Sequence, residues 1–183
     1  MTVVATPTPN PNAYVFQVQE ILIPSGTYEF AHDSDRSASP LAEKIFQIEG
    51  IELLMIAPKF ITVRKFSNYS WDDLLSAVQD CFQDFLHSGE MAIFENNASA
   101  DTQNLTDVEH RILDILEEEV RPAIAQDGGD FVYHGFENGI VKLQLIGACG
   151  TCPSSSATLH MGIERLLMEE IPEVQGIEQV QVD

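Results

Sequence analysis

A chain of 183 residues in which 44% are hydrophobic can bury one core or two small ones, so this is not a disordered protein. The net charge of −20 is spread evenly, with 14 acidic and 5 basic residues in 1–104 and 15 acidic and 4 basic residues in 105–183. Such uniform acidity argues against binding of nucleic acid or of an anionic membrane surface through a basic patch. No stretch approaches the roughly 20 consecutive apolar residues of a membrane-spanning helix.

The first residues and the number of cysteines indicate the cellular compartment. The first residues, Met-Thr-Val-Val-Ala-Thr-Pro, lack the basic and apolar regions of a secretory signal and the arginine-rich character of a transit peptide. Three cysteines, Cys81, Cys149 and Cys152, are an odd number that does not make a disulfide framework. We therefore expect a reducing compartment, either the bacterial cytoplasm or the mitochondrial matrix if a presequence has been removed.

The chain begins with a proline-spaced lead-in followed by strand patterns. Apolar residues alternate over 14–23 and predict a strand, and 28–30 predict a returning arm after a Pro-Ser-Gly turn. Pro40 is typical of the first turn of a helix, which we expect to end near Gly50.

Two further strands and a longer helix follow. Residues 51–56 and 60–66 are rich in β-branched and aromatic side chains and predict two strands joined by a short turn. Residues 71–87 carry apolar residues at helical spacing, and Gly89 marks the end of that helix. Cys81 falls at the edge of the apolar face, which favours a buried structural thiol over a metal ligand.

The segment 95–104 separates the chain into two parts. It reads Glu-Asn-Asn-Ala-Ser-Ala-Asp-Thr-Gln-Asn and has no large apolar residue, as is typical of a linker. The sequence therefore predicts an α+β protein with two small domains, residues 1–94 and 105–183, each near the lower size that folds alone.

The second domain opens with a helix. Thr106 and Glu109 have the spacing of a capping box, and Pro122 predicts an interruption near the end of the helix. Two strands, 131–136 and 140–146, then flank an Asn-Gly turn signal. A helix after residue 153 and a last strand near the C-terminus complete the order α-β-β-α-β.

The segment between the second of these strands and the next helix reads Gly-Ala-Cys149-Gly-Thr-Cys152-Pro153. Backbone N–H groups at a helix start, with the positive end of the helix dipole, favour thiolate over thiol, and thiolate is the form that binds metal. Two thiolates are half of the ligand set of a tetrahedral zinc or of an iron–sulfur cluster. Either a second chain completes the set or the pair works alone as a dithiol.

Several motifs occur together in the order found in a known family. Residues 127–130 (Asp-Gly-Gly-Asp), 147–155 (Gly-x-Cys-x-x-Cys-Pro-Ser-Ser) and 171–174 (Ile-Pro-Glu-Val) resemble the C-terminal NifU-like (Nfu) iron–sulfur domain. Three segments of the first domain are similar to the N-terminal domain of mitochondrial and alphaproteobacterial Nfu proteins, namely 8–12, 39–42 and 60–63. The resemblance covers nearly the whole chain.

The resemblance implies an iron–sulfur cluster scaffold or carrier that catalyses no turnover of its own. It implies a homodimer on cluster binding, in which Cys149 and Cys152 of each chain hold one 4Fe–4S cluster, a 2Fe–2S cluster being possible. The implied partners are upstream cluster-assembly proteins and recipient apoproteins such as lipoyl synthase or respiratory enzymes.

Other interpretations remain open. A Cys-x-x-Cys pair at a strand-to-helix junction is also typical of a thioredoxin-like dithiol oxidoreductase, although the element order lacks the lead-in of that fold. A zinc ion bridging two chains would use the same four thiolates for dimerisation. Residues 127–130 have two interpretations: a loop beside the cysteines that shapes the cluster site or a partner surface, or, as we favour, glycines that supply positive φ between aspartates that cap backbone N–H groups.

Overall fold

The computed structural model describes residues 3–94, 105–149 and 153–180, without the side chains of 153–156. The chain divides into two compact units, Met1–Ala98 and Ser99–Asp183. Each unit contains helices and a sheet, which confirms the α+β class. The predicted linker, 95–104, lies outside the described residues, so the domain limits 1–94 and 105–183 remain predictions.

The first unit is a five-stranded antiparallel sheet with two helices. Its strands lie in the order β1-β2-β5-β4-β3. Their bounds are β1 Val4–Pro7, β2 Ala13–Gln17, β3 Tyr28–Ala31, β4 Ile51–Ile56 and β5 Phe60–Lys65, and those of the helices are α1 Pro40–Ile45 and α2 Trp71–Ser88.

Three details of this sheet correct the sequence prediction. The lead-in contains a strand, β1, which pairs with β2. The strand predicted over 14–23 ends at Gln17, because the segment after it bonds to the turn between β4 and β5, with Leu22 N–H donating to Pro58 O at 2.8 Å. The predicted returning arm, β3, pairs with β4 and not with β2.

The first helix begins at Pro40 as predicted but ends at Ile45, five residues before the predicted end near Gly50, whereas α2 ends before Gly89 as predicted. Ser39 caps α1, since its hydroxyl oxygen accepts the N–H of Ala42 at 3.0 Å. The same hydroxyl donates to the carbonyl of Ala92 at 2.7 Å, which ties α1 to the segment after α2. Gly89 ends α2 in the left-handed conformation, with φ 69°. Phe16, Leu54 and the apolar face of α2 meet in the core of this unit.

The second unit has the predicted order α-β-β-α-β, with its first helix broken into three segments. These are α3 Asp107–Ile115, a π-helical turn Leu116–Val120 and α4 Arg121–Gln126. The other elements are β6 Gly129–Glu137, β7 Ile140–Gly147, α5 Pro153–Glu170 and β8 Gly176–Gln179. The sheet has the order β6-β7-β8, in which β6 is antiparallel and β8 parallel to β7.

Pro122 accounts for the π-helical turn. A proline inside a helix has no N–H to donate and its ring presses on the carbonyl one turn earlier. The preceding turn widens, and the Arg121 N–H donates to the carbonyl of Leu116, five residues before it. Pro122 then falls in the first turn of α4, where its missing N–H is tolerated.

No helix within the described residues is both long and apolar enough to cross a membrane.

Two glycines of the first unit allow a matched test of its packing. Gly50 (φ 99°) faces the ring of Tyr69, where an added Cβ would lie 2.6 Å from Cδ1, whereas Gly26 (φ 78°) has open space around it. Both alanine variants place a side chain at positive φ, which costs about 1 kcal/mol. We expect Gly50→Ala to lose about 1–3 kcal/mol more than Gly26→Ala, because it also overpacks the ring.

Urea unfolding of the full chain measures this difference. Trp71, the single tryptophan of the chain, lies in the first unit and gives a fluorescence signal specific to it. Equal losses of unfolding free energy in the two variants would contradict the contact between Gly50 and Tyr69.

Candidate metal centre

Cys149 lies in the turn that follows β7, before α5 begins at Pro153. Gly147 ends β7 with φ 73°, a conformation that favours glycine, and redirects the chain toward β6. Cys152 lies outside the described residues, so its pairing with Cys149 as a ligand remains a prediction.

The turn at Gly128 and Gly129 forms a wall against Cys149. The Ala148 N–H donates to the carbonyl of Gly128 at 3.1 Å, and Gly129 pairs with Gly147 in the sheet. A Cβ on Gly129 would lie 2.6 Å from Sγ and 2.8 Å from Cβ of Cys149. The thiol of Cys149 therefore packs directly against the backbone of Gly129.

Gly128 and Gly129 have different roles, and each role agrees with a different sequence interpretation of residues 127–130. Gly128 has φ 74°, as expected of a glycine that turns the chain from α4 into β6. Gly129 is instead required for space, because Cys149 fills the position of its absent side chain. The interpretation that the segment only turns and caps the chain is thus incomplete.

Cys149 is 2% exposed and belongs to the apolar core of its unit. The sequence predicted a loop cysteine but not this burial. Side chains of β7 point inward at every second position, and the turn at Gly147 brings Cys149 back over β6. The other members of this core come from the helices and from both long strands and include Leu116, Ile124, Phe131, Leu145, Ile163 and Leu167.

An ion pair fixes β6 beside this wall. The carboxylate of Asp130, which is buried, receives Arg121 Nη1 at 2.7 Å on Oδ1 and 2.6 Å on Oδ2. Glu117 holds the same guanidinium through Nε at 2.7 Å and Nη2 at 2.8 Å. The guanidinium carbon also lies 4.5 Å from the centre of the Phe131 ring. Glu117 thus helps to anchor the strand that supports Cys149.

A second connection joins α3 to β6. The capping box forms as predicted, with the Thr106 N–H donating to Glu109 Oε2 at 2.8 Å and the Glu109 N–H to Thr106 Oγ1 at 3.3 Å. Tyr133 donates its hydroxyl to Glu109 Oε1 at 3.0 Å. Hydrogen bonds from the Thr106 N–H and from the hydroxyls of Thr106 and Tyr133 hold the pKa of Glu109 below its ordinary 4.5. Burial raises the pKa of Tyr133. The connection is therefore present at neutral pH and is lost as pH falls through the pKa of Glu109.

Other candidate ligands are not assembled in the described part of the chain. Among residues 3–94, 105–149 and 153–180, no three His, Cys, Asp or Glu side chains form a group that could hold a metal ion. Cys81 lies in the first unit, half-buried against its core, and burial raises the pKa of its thiol. These features fit the structural role predicted for it.

Two family models match the chain. The model described as scaffold protein Nfu/NifU N terminal covers residues 3–89, and the model described as NifU-like domain covers residues 112–178. The second range contains Cys149, Cys152 and the wall at Gly129.

Curated relatives match over both units. The mitochondrial NFU1 iron-sulfur cluster scaffold homolog of Homo sapiens is 38% identical over 179 residues, covering 96% of this chain and 70% of that protein. The protein of the same name from Drosophila virilis is 38% identical over 177 residues and 94% of this chain. The chain spans 59% of the length of that Drosophila relative.

Among solved structures, the solution NMR structure of a NifU-like protein from Saccharomyces cerevisiae is 27% identical, with a TM-score of 0.46. The match covers 52% of this chain and 87% of that one.

The contact between Gly129 and Cys149 predicts a change in thiol reactivity. Gly129→Ala should displace Sγ and raise the rate at which Cys149 reacts with iodoacetamide, at a cost of about 1–3 kcal/mol in stability. Timed alkylation followed by tandem mass spectrometry measures each cysteine separately. Gly162→Ala is the matched control, because its added methyl group would meet nothing within 4 Å. An unchanged rate for Cys149 in Gly129→Ala would contradict the contact.

The ion pair at Asp130 predicts unequal costs for two arginine substitutions. Arg121→Met removes the guanidinium from a buried carboxylate and should cost about 3 kcal/mol. Arg165→Met breaks an exposed pair with Glu169 and should cost less than about 1 kcal/mol. Urea unfolding followed by circular dichroism, with hydrogen exchange of β6, measures both.

A further variant tests the cause of that cost. Arg121→Met combined with Asp130→Asn should be less destabilised than Arg121→Met alone, because the buried charge is removed with its partner. If the double variant is the less stable of the two, the buried charge is not the source of the loss.

Proposed function

This chain belongs to the Nfu family of iron–sulfur cluster scaffold proteins, and we propose that it carries an iron–sulfur cluster on Cys149 and Cys152 and transfers it to recipient apoproteins. The cluster is cargo, which the chain accepts and releases. The observation that carries the proposal is the position of Cys149, in the turn between β7 and α5 inside the NifU-like range. A thiolate is the ligand that iron–sulfur clusters take.

Stoichiometry favours a cluster shared by two chains. A 4Fe–4S cluster takes four thiolates, and the motif supplies two per chain. Cys81 belongs to the first unit and packs on its core, which leaves the motif cysteines as the ligands. Two copies of Cys149 and Cys152 complete the set in a homodimer, and the same four thiolates suit a 2Fe–2S cluster.

Loading requires a local change at Cys149. Its thiol rests in an apolar core against Gly129, so iron reaches the sulfur when the turn opens. Gly128 lies just before β6 and Gly147 ends β7, and both have positive φ. Glycine tolerates a change of backbone conformation at these two positions. Each thiol gives up its proton when its bond to iron forms, so loading releases protons and is favoured as pH rises.

The partners follow from the role. Upstream assembly proteins supply the cluster, and recipient thiolates replace Cys149 and Cys152 at delivery, a ligand exchange without catalytic turnover. The acidic surface favours partners with basic faces and disfavours nucleic acid. Both relatives are named as mitochondrial proteins, which supports the mitochondrial matrix over the bacterial cytoplasm for this chain.

Anaerobic reconstitution with iron and sulfide tests the proposal. We expect about two irons and two sulfides per chain, in a dimer of defined mass, as required for a shared 4Fe–4S cluster. The variant with Cys149→Ala and Cys152→Ala should bind no cluster and remain in the state of the apo chain. Cys81→Ala is the matched control and should load as the parent does.

Other outcomes identify the alternatives. One iron and one sulfide per chain would replace the 4Fe–4S assignment with 2Fe–2S. A colourless monomer that reduces disulfides would overturn the carrier in favour of a dithiol oxidoreductase. About one zinc per two chains, retained against iron and sulfide, would indicate a dimerisation module.

A further inference from the structure

An open groove runs between α5 and the segment formed by the π-helical turn and α4 in the second unit. It has a volume of about 490 Å³. Its walls are apolar side chains from the π-helical turn and α4 on one side and from α5 on the other, namely Val120, Ala123, Leu159, Ile163 and Leu166. Val120 and Ile163 also belong to the core that contains Cys149, so the groove is built on the same packed unit.

Gly162 keeps this groove open. It lies inside α5, where a glycine costs about 1 kcal/mol relative to alanine. An added Cβ would meet nothing within 4 Å, so neither the packing of α5 nor its backbone conformation requires a glycine. The helix thus gives up stability at the position that lines the groove, which suggests that the space is used by another molecule.

The rim of the groove is acidic. Glu119 and Asp127 line it. The segment 105–183 has four basic residues, and each forms an ion pair with a carboxylate outside the groove lining. The pairs are Arg111–Glu173, Arg121–Glu117, Arg121–Asp130, Lys142–Glu137 and Arg165–Glu169. The negative charge at the rim is therefore available to an incoming cation. A second copy of this chain, with net charge −20, is a poor occupant on the same ground.

We propose that this groove binds a basic amphipathic helix of a partner protein. Apolar side chains one helical turn apart enter between α4 and α5, and flanking lysines or arginines approach Glu119 and Asp127. This inference goes beyond the cluster-carrier proposal and does not rest on it, because the contacts involve neither motif cysteine.

The binding of a defined peptide to the reduced apo full chain tests the inference. The probe is a fluorescein-labelled amphipathic Leu/Lys helix of about 18 residues, followed by fluorescence anisotropy. A Leu/Glu peptide with the same apolar spacing is the control probe. We expect the Leu/Lys peptide to bind, with an affinity that falls as salt is added, and the Leu/Glu peptide not to bind.

Two variants separate the groove from general charge attraction. Gly162→Leu fills the groove and should weaken binding by at least about tenfold, while circular dichroism confirms a folded chain. Glu119→Gln with Asp127→Asn should weaken binding by about three- to tenfold. The matched control is Asp114→Asn with Glu178→Gln, which removes the same charge away from the groove lining and should leave the affinity within about twofold.

Three results would overturn the inference. The first is no binding of the Leu/Lys peptide, and the second is equal binding to Gly162→Leu and to the parent. The third is an equal loss in the two charge variants, which would indicate non-specific attraction to an acidic chain. Sedimentation of the parent chain and of Gly162→Leu completes the test. If the parent self-associates but binds no peptide, and Gly162→Leu does not self-associate, the groove belongs to a second copy of the chain.

Discussion

The second unit depends on how closely β6 approaches Cys149. Gly129 has no side chain, and the thiol occupies the space that a Cβ would need. The strand register that sets Gly129 opposite Gly147 and the clamp of Arg121 on Asp130 both maintain this approach. A thiol held in an apolar core is poorly reactive, so the same contact lowers the reactivity of Cys149. In the proposed function, the closed turn would protect the thiol and the open turn would allow loading.

Features with local causes could be predicted from the sequence. The capping box at Thr106 needs a partner three residues away, and both of its hydrogen bonds form. The turn between β6 and β7 needs two residues that accept positive φ, which Asn138 (54°) and Gly139 (83°) do. The α-β-β-α-β order and the place of Cys149 between a strand and a helix follow from such signals, because each is fixed within a few residues.

Features with non-local causes could not be predicted in this way. β1 is short and proline-flanked, and it becomes a strand because β2 offers it an edge. β3 has a strand pattern, but the choice of β4 over β2 as its partner depends on the whole sheet order. The burial of Cys149 depends on a glycine 20 residues earlier, and one sequence alone does not show which glycine gives space and which gives φ.

The acidity of the chain acquires a more specific meaning in the fold. The four basic side chains of the second unit all form ion pairs with carboxylates of that unit, from Arg121 at the buried Asp130 to the exposed Arg165 at Glu169. Each cation offsets a single negative charge, and residues 105–183 hold 15 acidic residues against four basic ones. The second unit therefore keeps a net negative charge although each of its basic side chains is paired. A partner of opposite charge would be attracted over about a Debye length, near 10 Å at 0.1 M salt, and so would associate more slowly as salt is added. Composition argues against nucleic acid as a partner, and the fold shows which carboxylates are paired with cations.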